Sequence, residues 1–127
     1  MIGEAEDLWP GLLDDFRAGT LRERYVVDRP PDLAGRPAPR YDLVNPRDYQ
    51  LDLYPVESGR GCPNSCDYCA VTAFHGGRHR HRPVADVLRN IRATGSRFLS
   101  FSDDNLVGDP DYALELFRAM APLNVRL

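Results

Sequence analysis

Pro83-Val84-Ala85-Asp86-Val87-Leu88-Arg89-Asn90-Ile91-Arg92-Ala93-Thr94-Gly95, followed two residues later by Phe98-Leu99-Ser100-Phe101-Ser102, is the stretch that sets the fold class. Val84, Val87, Leu88 and Ile91 fall at i, i+3, i+4 and i+7, the spacing that puts four apolar side chains on one helical face. Pro83 opens that helix and Gly95 closes it. The short run 98–102 then reads as a strand. Upstream, residues 51–58 read as an earlier strand, although Pro55 weakens it by removing a ladder donor. Downstream, Asp109-Pro110 supplies a cap and a first-turn proline for a helix carrying Ala113, Leu116, Phe117 and Met120, with Pro122 as its stop. Residues 123–127 begin a third strand. Strand, helix, strand, helix, strand implies parallel strands joined by crossover helices, hence an α/β class. Two strand–helix units and a strand stub do not close a barrel, so the chain reads as the front end of a larger α/β domain.

Working toward the N-terminus, residues 28–50 hold Pro30, Pro31, Pro37, Pro39 and Pro46 with Gly35 and four Arg, and show no apolar period. Proline at this density favours extended backbone that wraps a surface or connects units. Residues 3–25 read as an amphipathic helix and its exit, with Leu8, Leu12, Leu13 and Phe16 on one face, Pro10 in the first turn and Gly19 as the stop. The expected organisation is therefore a helical segment over 1–27, a Pro/Arg-rich linker over 28–50 and an α/β unit over 51–127.

The 127 residues suffice for one small domain. Apolar residues make up 43% and charged residues 28%, the balance of a globular chain. No apolar run approaches the ~18 residues of a membrane span, and the N-terminus lacks a secretory pattern, so a cytoplasmic location is expected. The net charge of −3 gives no electrostatic reason to expect nucleic acid. Every basic residue is Arg, which excludes lysine nucleophiles and Schiff bases.

The three cysteines are Cys62, Cys66 and Cys69, grouped within eight residues. An odd, tight group cannot form a disulfide framework, and clustered thiols in a reducing compartment point to metal. Cys62-Pro63-Asn64-Ser65-Cys66-Asp67-Tyr68-Cys69 is a CxxxCxxC run on a loop after a strand. Three soft thiolates suit an iron–sulfur cluster with one iron left open, or zinc, with His75 as a fourth ligand.

This run, with Tyr68 just before the third cysteine, resembles the cluster motif of the radical S-adenosylmethionine (radical SAM) superfamily. Gly3-Glu4-Ala5-Glu6, Trp9-Pro10, Arg60-Gly61-Cys62-Pro63, Arg80-His81-Arg82 and Phe101-Ser102-Asp103-Asp104-Asn105 are similar to members that carry an N-terminal cobalamin-binding domain. The resemblance implies a partial (β/α) TIM-barrel-like core comprising its first two strand–helix units, preceded by a helical remnant and the linker. It implies that Cys62, Cys66 and Cys69 ligate a [4Fe-4S] cluster. SAM would chelate the fourth iron and be reductively cleaved to a 5′-deoxyadenosyl radical that takes hydrogen from a small-molecule substrate. Tyr68 would lie along the adenine, and Ser102, Asp103 and Asp104 would meet the SAM ammonium, for which a carboxylate is a charge-assisted acceptor. An electron donor such as flavodoxin or ferredoxin would be the partner. His75, His79 and His81 do not stand in an Asp-x-His-x-x-Gly setting, so cobalamin is not expected on this chain. With later barrel strands missing, the chain alone is expected to be a fragment without turnover. The competing reading is a non-catalytic zinc or iron–sulfur module.

Overall fold

A computed structural model of the chain describes residues 1–49 and 53–127. Gln50, and Leu51 and Asp52 at the start of the expected first strand, lie outside the described residues. The chain divides into two compact units, residues 1–32 and 33–127. Its elements are helix α1 (Trp9–Ala18), strands β1 (Tyr54–Val56) and β2 (Gly59–Arg60), helix α2 (Ala70–His75), strand β3 (Arg80–His81), helix α3 (Val84–Thr94), strand β4 (Leu99–Phe101) and helix α4 (Pro110–Met120). Single 3-10 turns occur at Tyr41–Leu43, Pro46–Asp48 and Ala121–Leu123.

In the first unit, Pro10 sits in the opening turn of α1 and Gly19 ends it, donating its N–H to the Phe16 carbonyl at 3.1 Å. None of the α1 side chains is fully buried, and Trp9 and Phe16 remain well exposed. The unit is closed by Ile2, which makes a parallel bridge with Val26. Ile2 donates to the Tyr25 carbonyl at 2.8 Å, and Val27 donates back to Ile2 at 3.1 Å. Tyr25 is buried and its hydroxyl donates to Asp15 at 2.7 Å. Arg22 holds the same carboxylate at 3.0 Å and lies over the Tyr25 ring.

The second unit is α/β, as the periodicity of residues 83–101 requires. β1 and β4 pair in parallel, with Tyr54 opposite Leu99, Pro55 opposite Ser100 and Val56 opposite Phe101. Tyr54 donates to the Phe98 carbonyl, and the Val56 carbonyl accepts from Ser102. The residues flanking Pro55 thus face β4, so the missing proline N–H falls on the other side of the strand and costs this ladder nothing. On the far side of β4 the expected third strand amounts to one parallel bridge, Phe98 with Arg126, secured by Leu99 N–H to the Arg126 carbonyl at 2.9 Å and Arg126 N–H to Arg97 at 2.7 Å. The sheet is thus a parallel pair with a one-bridge extension, and no barrel is seen among the described residues.

Val56 and Leu99 from the sheet, Val87 and Ile91 from α3, and Leu116 and Met120 from α4 form the buried core. Val84 and Leu88, the other two members of the α3 stripe, pack partly buried against it. Asp109 caps α4 by accepting the Tyr112 N–H at 3.2 Å. α4 ends at Met120, just ahead of its expected stop, Pro122. Pro122 itself lies in the 3-10 turn Ala121–Leu123, where proline is compatible with the first turn, and Asn124 at φ +50° makes the exit.

Two features have no periodic signature in the sequence. β2 and β3 form a two-residue antiparallel ribbon, Gly59 opposite His81 and Arg60 opposite Arg80. α2 lies between them. The proline-rich segment, for its part, buries Leu33 and Tyr41. The Tyr41 hydroxyl donates to the Pro55 carbonyl at 2.8 Å. Arg82, only 5% exposed, donates to the Arg36 carbonyl at 3.0 Å, and with the Asn90 amide turned oxygen-inward donates to it at 2.7 and 3.1 Å. Among the described residues, no helix is long and apolar enough to cross a membrane.

Asp86, at the start of α3, ties the proline-rich segment to that helix. Its carboxylate accepts the Gly35 N–H at 2.7 Å and Arg89 Nη1 at 2.7 Å. The Gly35 hydrogen bond first, and the Arg89 guanidinium second, hold its pKa below the ordinary 3.8. A carboxyl whose folded pKa is depressed stabilises the fold fully above its unfolded pKa, and that contribution disappears as pH falls through the folded value. Asp86→Asn is therefore expected to lower stability at neutral pH. In urea titrations the gap from the parent chain should stay constant down to about pH 4 and shrink below it. A gap of the same size at the most acid pH where the chain still folds would contradict this assignment.

Candidate metal and cofactor centre

Parallel strands send their carboxyl ends to the same edge, and in open α/β sheets that edge is where ligands bind. Here β1 and β4 deliver residues 57–62 and 102–105 to one place. Three consecutive residues after β4 reach back to the segment after β1. Asp103 accepts the Ser58 N–H at 3.0 and 3.2 Å and the Ser58 hydroxyl at 2.6 Å. Asp104 Oδ2 accepts the Gly61 N–H at 2.8 Å. Asn105 Nδ2 donates to Cys62 Sγ at 3.2 Å. Ser58 is fully buried, so its N–H needs this partner.

The cysteine loop leaves β2 through Gly61, where φ is +84° and an added Cβ would stand 2.0 Å from the Arg78 carbonyl oxygen. Neither the backbone angle nor the space admits a side chain. Arg60 is held by Glu57 at 2.8 Å. At the far end, Cys69 donates its N–H to the Cys66 carbonyl at 3.1 Å, and Thr72 on α2 donates to the Asn64 carbonyl at 3.0 Å. The loop is therefore fastened at both ends. All three cysteines are partly buried free thiols.

His75 Nε2 lies 3.5 Å from Asp104 Oδ2. Among the described residues, no three His, Cys, Asp or Glu side chains are gathered so as to hold a single metal ion. The His75 imidazole faces a carboxylate. An iron–sulfur cubane takes one thiolate at each of three separate corners, so three thiols distributed around a fastened loop suit it by donor chemistry.

The remaining candidates fall as follows. Tyr68 projects from the loop at 88% exposure. Ser102 stays in the ladder, its N–H on the Val56 carbonyl at 3.0 Å and its hydroxyl at 3.4 Å from the same oxygen. Both Asp103 oxygens are engaged by Ser58. Asp104 uses one oxygen for Gly61 and His75, and among the described residues its Oδ1 takes no hydrogen bond.

Tyr112 braces this edge from α4. Its hydroxyl donates to the Arg82 carbonyl at 2.8 Å and lies 3.1 Å from that of Ser58, and its ring stacks on His81 at 4.0 Å. Burial pushes the phenol up to about 12. His81 in turn meets Asp109 at 3.3 Å. The Tyr112 N–H, aided by His81, holds that carboxyl below its usual range. Burial and the adjacent His81 push His79 down. Sequence reasoning assigned no part to Ser58 or Tyr112. Their roles rest on contacts 45 and 54 residues apart in the chain, which no local pattern announces.

Gly61→Ala combines a forbidden backbone angle with a backbone clash, whereas Gly76→Ala meets nothing within 4 Å at φ +63° and suffers the angle alone. In urea unfolding, Gly76→Ala should lose about 1 kcal/mol and Gly61→Ala clearly more. Equal losses would show that the loop gives way around position 61.

No protein-family model matches the chain. Over 141 aligned residues it is 31% identical to the bacteriochlorophyllide d C-12(1)-methyltransferase of Chlorobaculum tepidum, a match covering 99% of this chain and 30% of that protein. It is 34% identical over 94 residues to the bacteriochlorophyllide d C-8(2)-methyltransferase of the same organism, covering 63% of the chain and 19% of the relative. It is 33% identical over 93 residues to the ribosomal protein uS12 methylthiotransferase RimO of Porphyromonas gingivalis, covering 69% and 20%. The chain spans less than a third of the length of each of these relatives. Its homologues at this level of identity are methyltransferases and methylthiotransferases.

Proposed function

We propose that the chain is part of a radical SAM enzyme of the methyl- or methylthio-transferring kind, with the cluster held by Cys62, Cys66 and Cys69. The observation that carries this reading is the placement of three free thiols on one fastened loop at the carboxyl edge of a parallel strand pair, beside the acidic end of the next strand. The relatives add that methyl and methylthio transfer are the reactions to expect of such an assembly. When bound, a [4Fe-4S] cluster would supply the electron that cleaves SAM to a 5′-deoxyadenosyl radical.

The chain's own residues supply placement. Gly61 and the Asp104 carboxylate fix where the loop departs, and α2 fixes where it ends. Asp104, with an oxygen to spare, is the carboxylate best disposed to receive the SAM ammonium, while Asp103 keeps Ser58 and the strand ends in register. Ser102 stands at the same strand end. Tyr68 offers an exposed ring face that an adenine can cover. Flavodoxin or ferredoxin is the class of electron donor, the substrate is a small molecule, and no residue here is assigned to cobalamin.

The test is anaerobic reconstitution of the whole chain with iron and sulfide. Uptake of about four irons with broad visible charge-transfer absorbance, abolished in Cys66→Ala, is the expected result. A tight colourless zinc complex without uptake of iron and sulfide would instead establish a zinc module.

A further inference from the structure

Cys62 differs from its two neighbours. Asn105 Nδ2 donates to its sulfur at 3.2 Å, whereas among the described residues Cys66 and Cys69 receive no hydrogen bond on sulfur. The contact is built. Gly108 donates its N–H to the Asn105 carbonyl at 3.3 Å. A Cβ on Gly108 would lie 3.0 Å from both Cγ and Nδ2 of Asn105 and 2.8 Å from Pro63 Cδ. The amide is thus enclosed between the Gly108 backbone and the residue next to Cys62, with no room for a methyl group. The preceding residues Asp103 and Asp104 are anchored on Ser58 and Gly61, so the register that delivers the amide to the sulfur is itself fixed.

We propose that Asn105 is a positioning residue for the first of the three thiolates, donating a hydrogen bond to Cys62 sulfur and thereby raising the reduction potential of the cluster bound there. This rests on the cluster reading above. An N–H on a coordinating sulfur draws electron density from it, stabilising the reduced cluster, which carries more negative charge. Because Cys62 alone among the three thiols takes such a bond from the described residues, the three irons bound by protein would become inequivalent, with the Cys62 iron the more electron-poor.

Two measurements test it, one without any cluster. In isotope-labelled, metal-free full chain, the Asn105 side-chain amide should give an NMR signal shifted by its sulfur partner. That shift should be lost in Cys62→Ala and kept in Cys66→Ala. A signal indifferent to Cys62→Ala would overturn the contact. In the reconstituted chain, Asn105→Ala should move the midpoint potential to a lower value with cluster content retained. Gly108→Ala, which keeps the amide but displaces it, should shift it the same way, and Gly76→Ala should leave it unmoved. An unchanged midpoint in loaded Asn105→Ala would overturn the proposed tuning. A parent chain that takes up no cluster would overturn the cluster reading and the claim about potential with it, while the amide signal would still decide the contact.

Discussion

The Asp103 carboxylate on Ser58 is the constraint from which the rest of the second unit follows. β1 and β4 overlap by only three residues each. A parallel pair that short needs a lock at its end, and Asp103 provides one by accepting both the backbone N–H and the hydroxyl of a buried serine. Hydrogen bonds to an ionised acceptor are the stronger kind, and here the alternative is a donor left without a partner in the interior. With Ser58 pinned, Asp104 reaches Gly61 and Asn105 reaches Cys62 in unbroken register. Three adjacent side chains thus transmit the position of β4 to the first thiol.

The braces around this lock share a logic. Each places a polar group on backbone: Tyr112 on the Arg82 carbonyl, Tyr41 on the Pro55 carbonyl, Arg82 on the Arg36 carbonyl, Asp86 on the Gly35 N–H. Backbone partners cannot swing away, so loops and strands too short to hold themselves are held from outside. The proline-rich segment benefits most. It has few N–H groups to offer a ladder, yet Gly35 and Tyr41 connect it to α3 and β1, and Arg36 to Arg82.

What was legible in the sequence is what repeats. The α3 stripe, its Gly95 terminus and the Asp109-Pro110 opening of α4 appear where the spacing puts them, because one apolar face per helix is a local property. The parallel order of β1 and β4 followed from the helix between them. The β2–β3 ribbon was not legible, since two paired residues have no period to detect. Nor was the burial of Leu33 and Tyr41, single apolar residues among prolines. At the candidate centre, residue types and spacing singled out the cysteines, but the part each acidic residue plays is settled by partners some forty positions away. Asp103 and Asp104 look interchangeable on paper. In the fold one is engaged by Ser58 and the other by Gly61 and His75.

The sole tryptophan, Trp9, belongs to the first unit, and every cysteine to the second. The single indole therefore probes the surroundings of Trp9 in residues 1–32, whereas five of the six tyrosines lie in residues 33–127. On heating, fluorescence starts from the one unit and tyrosine ellipticity mostly from the other. Whether the two melt as one body can be read from the coincidence of those curves.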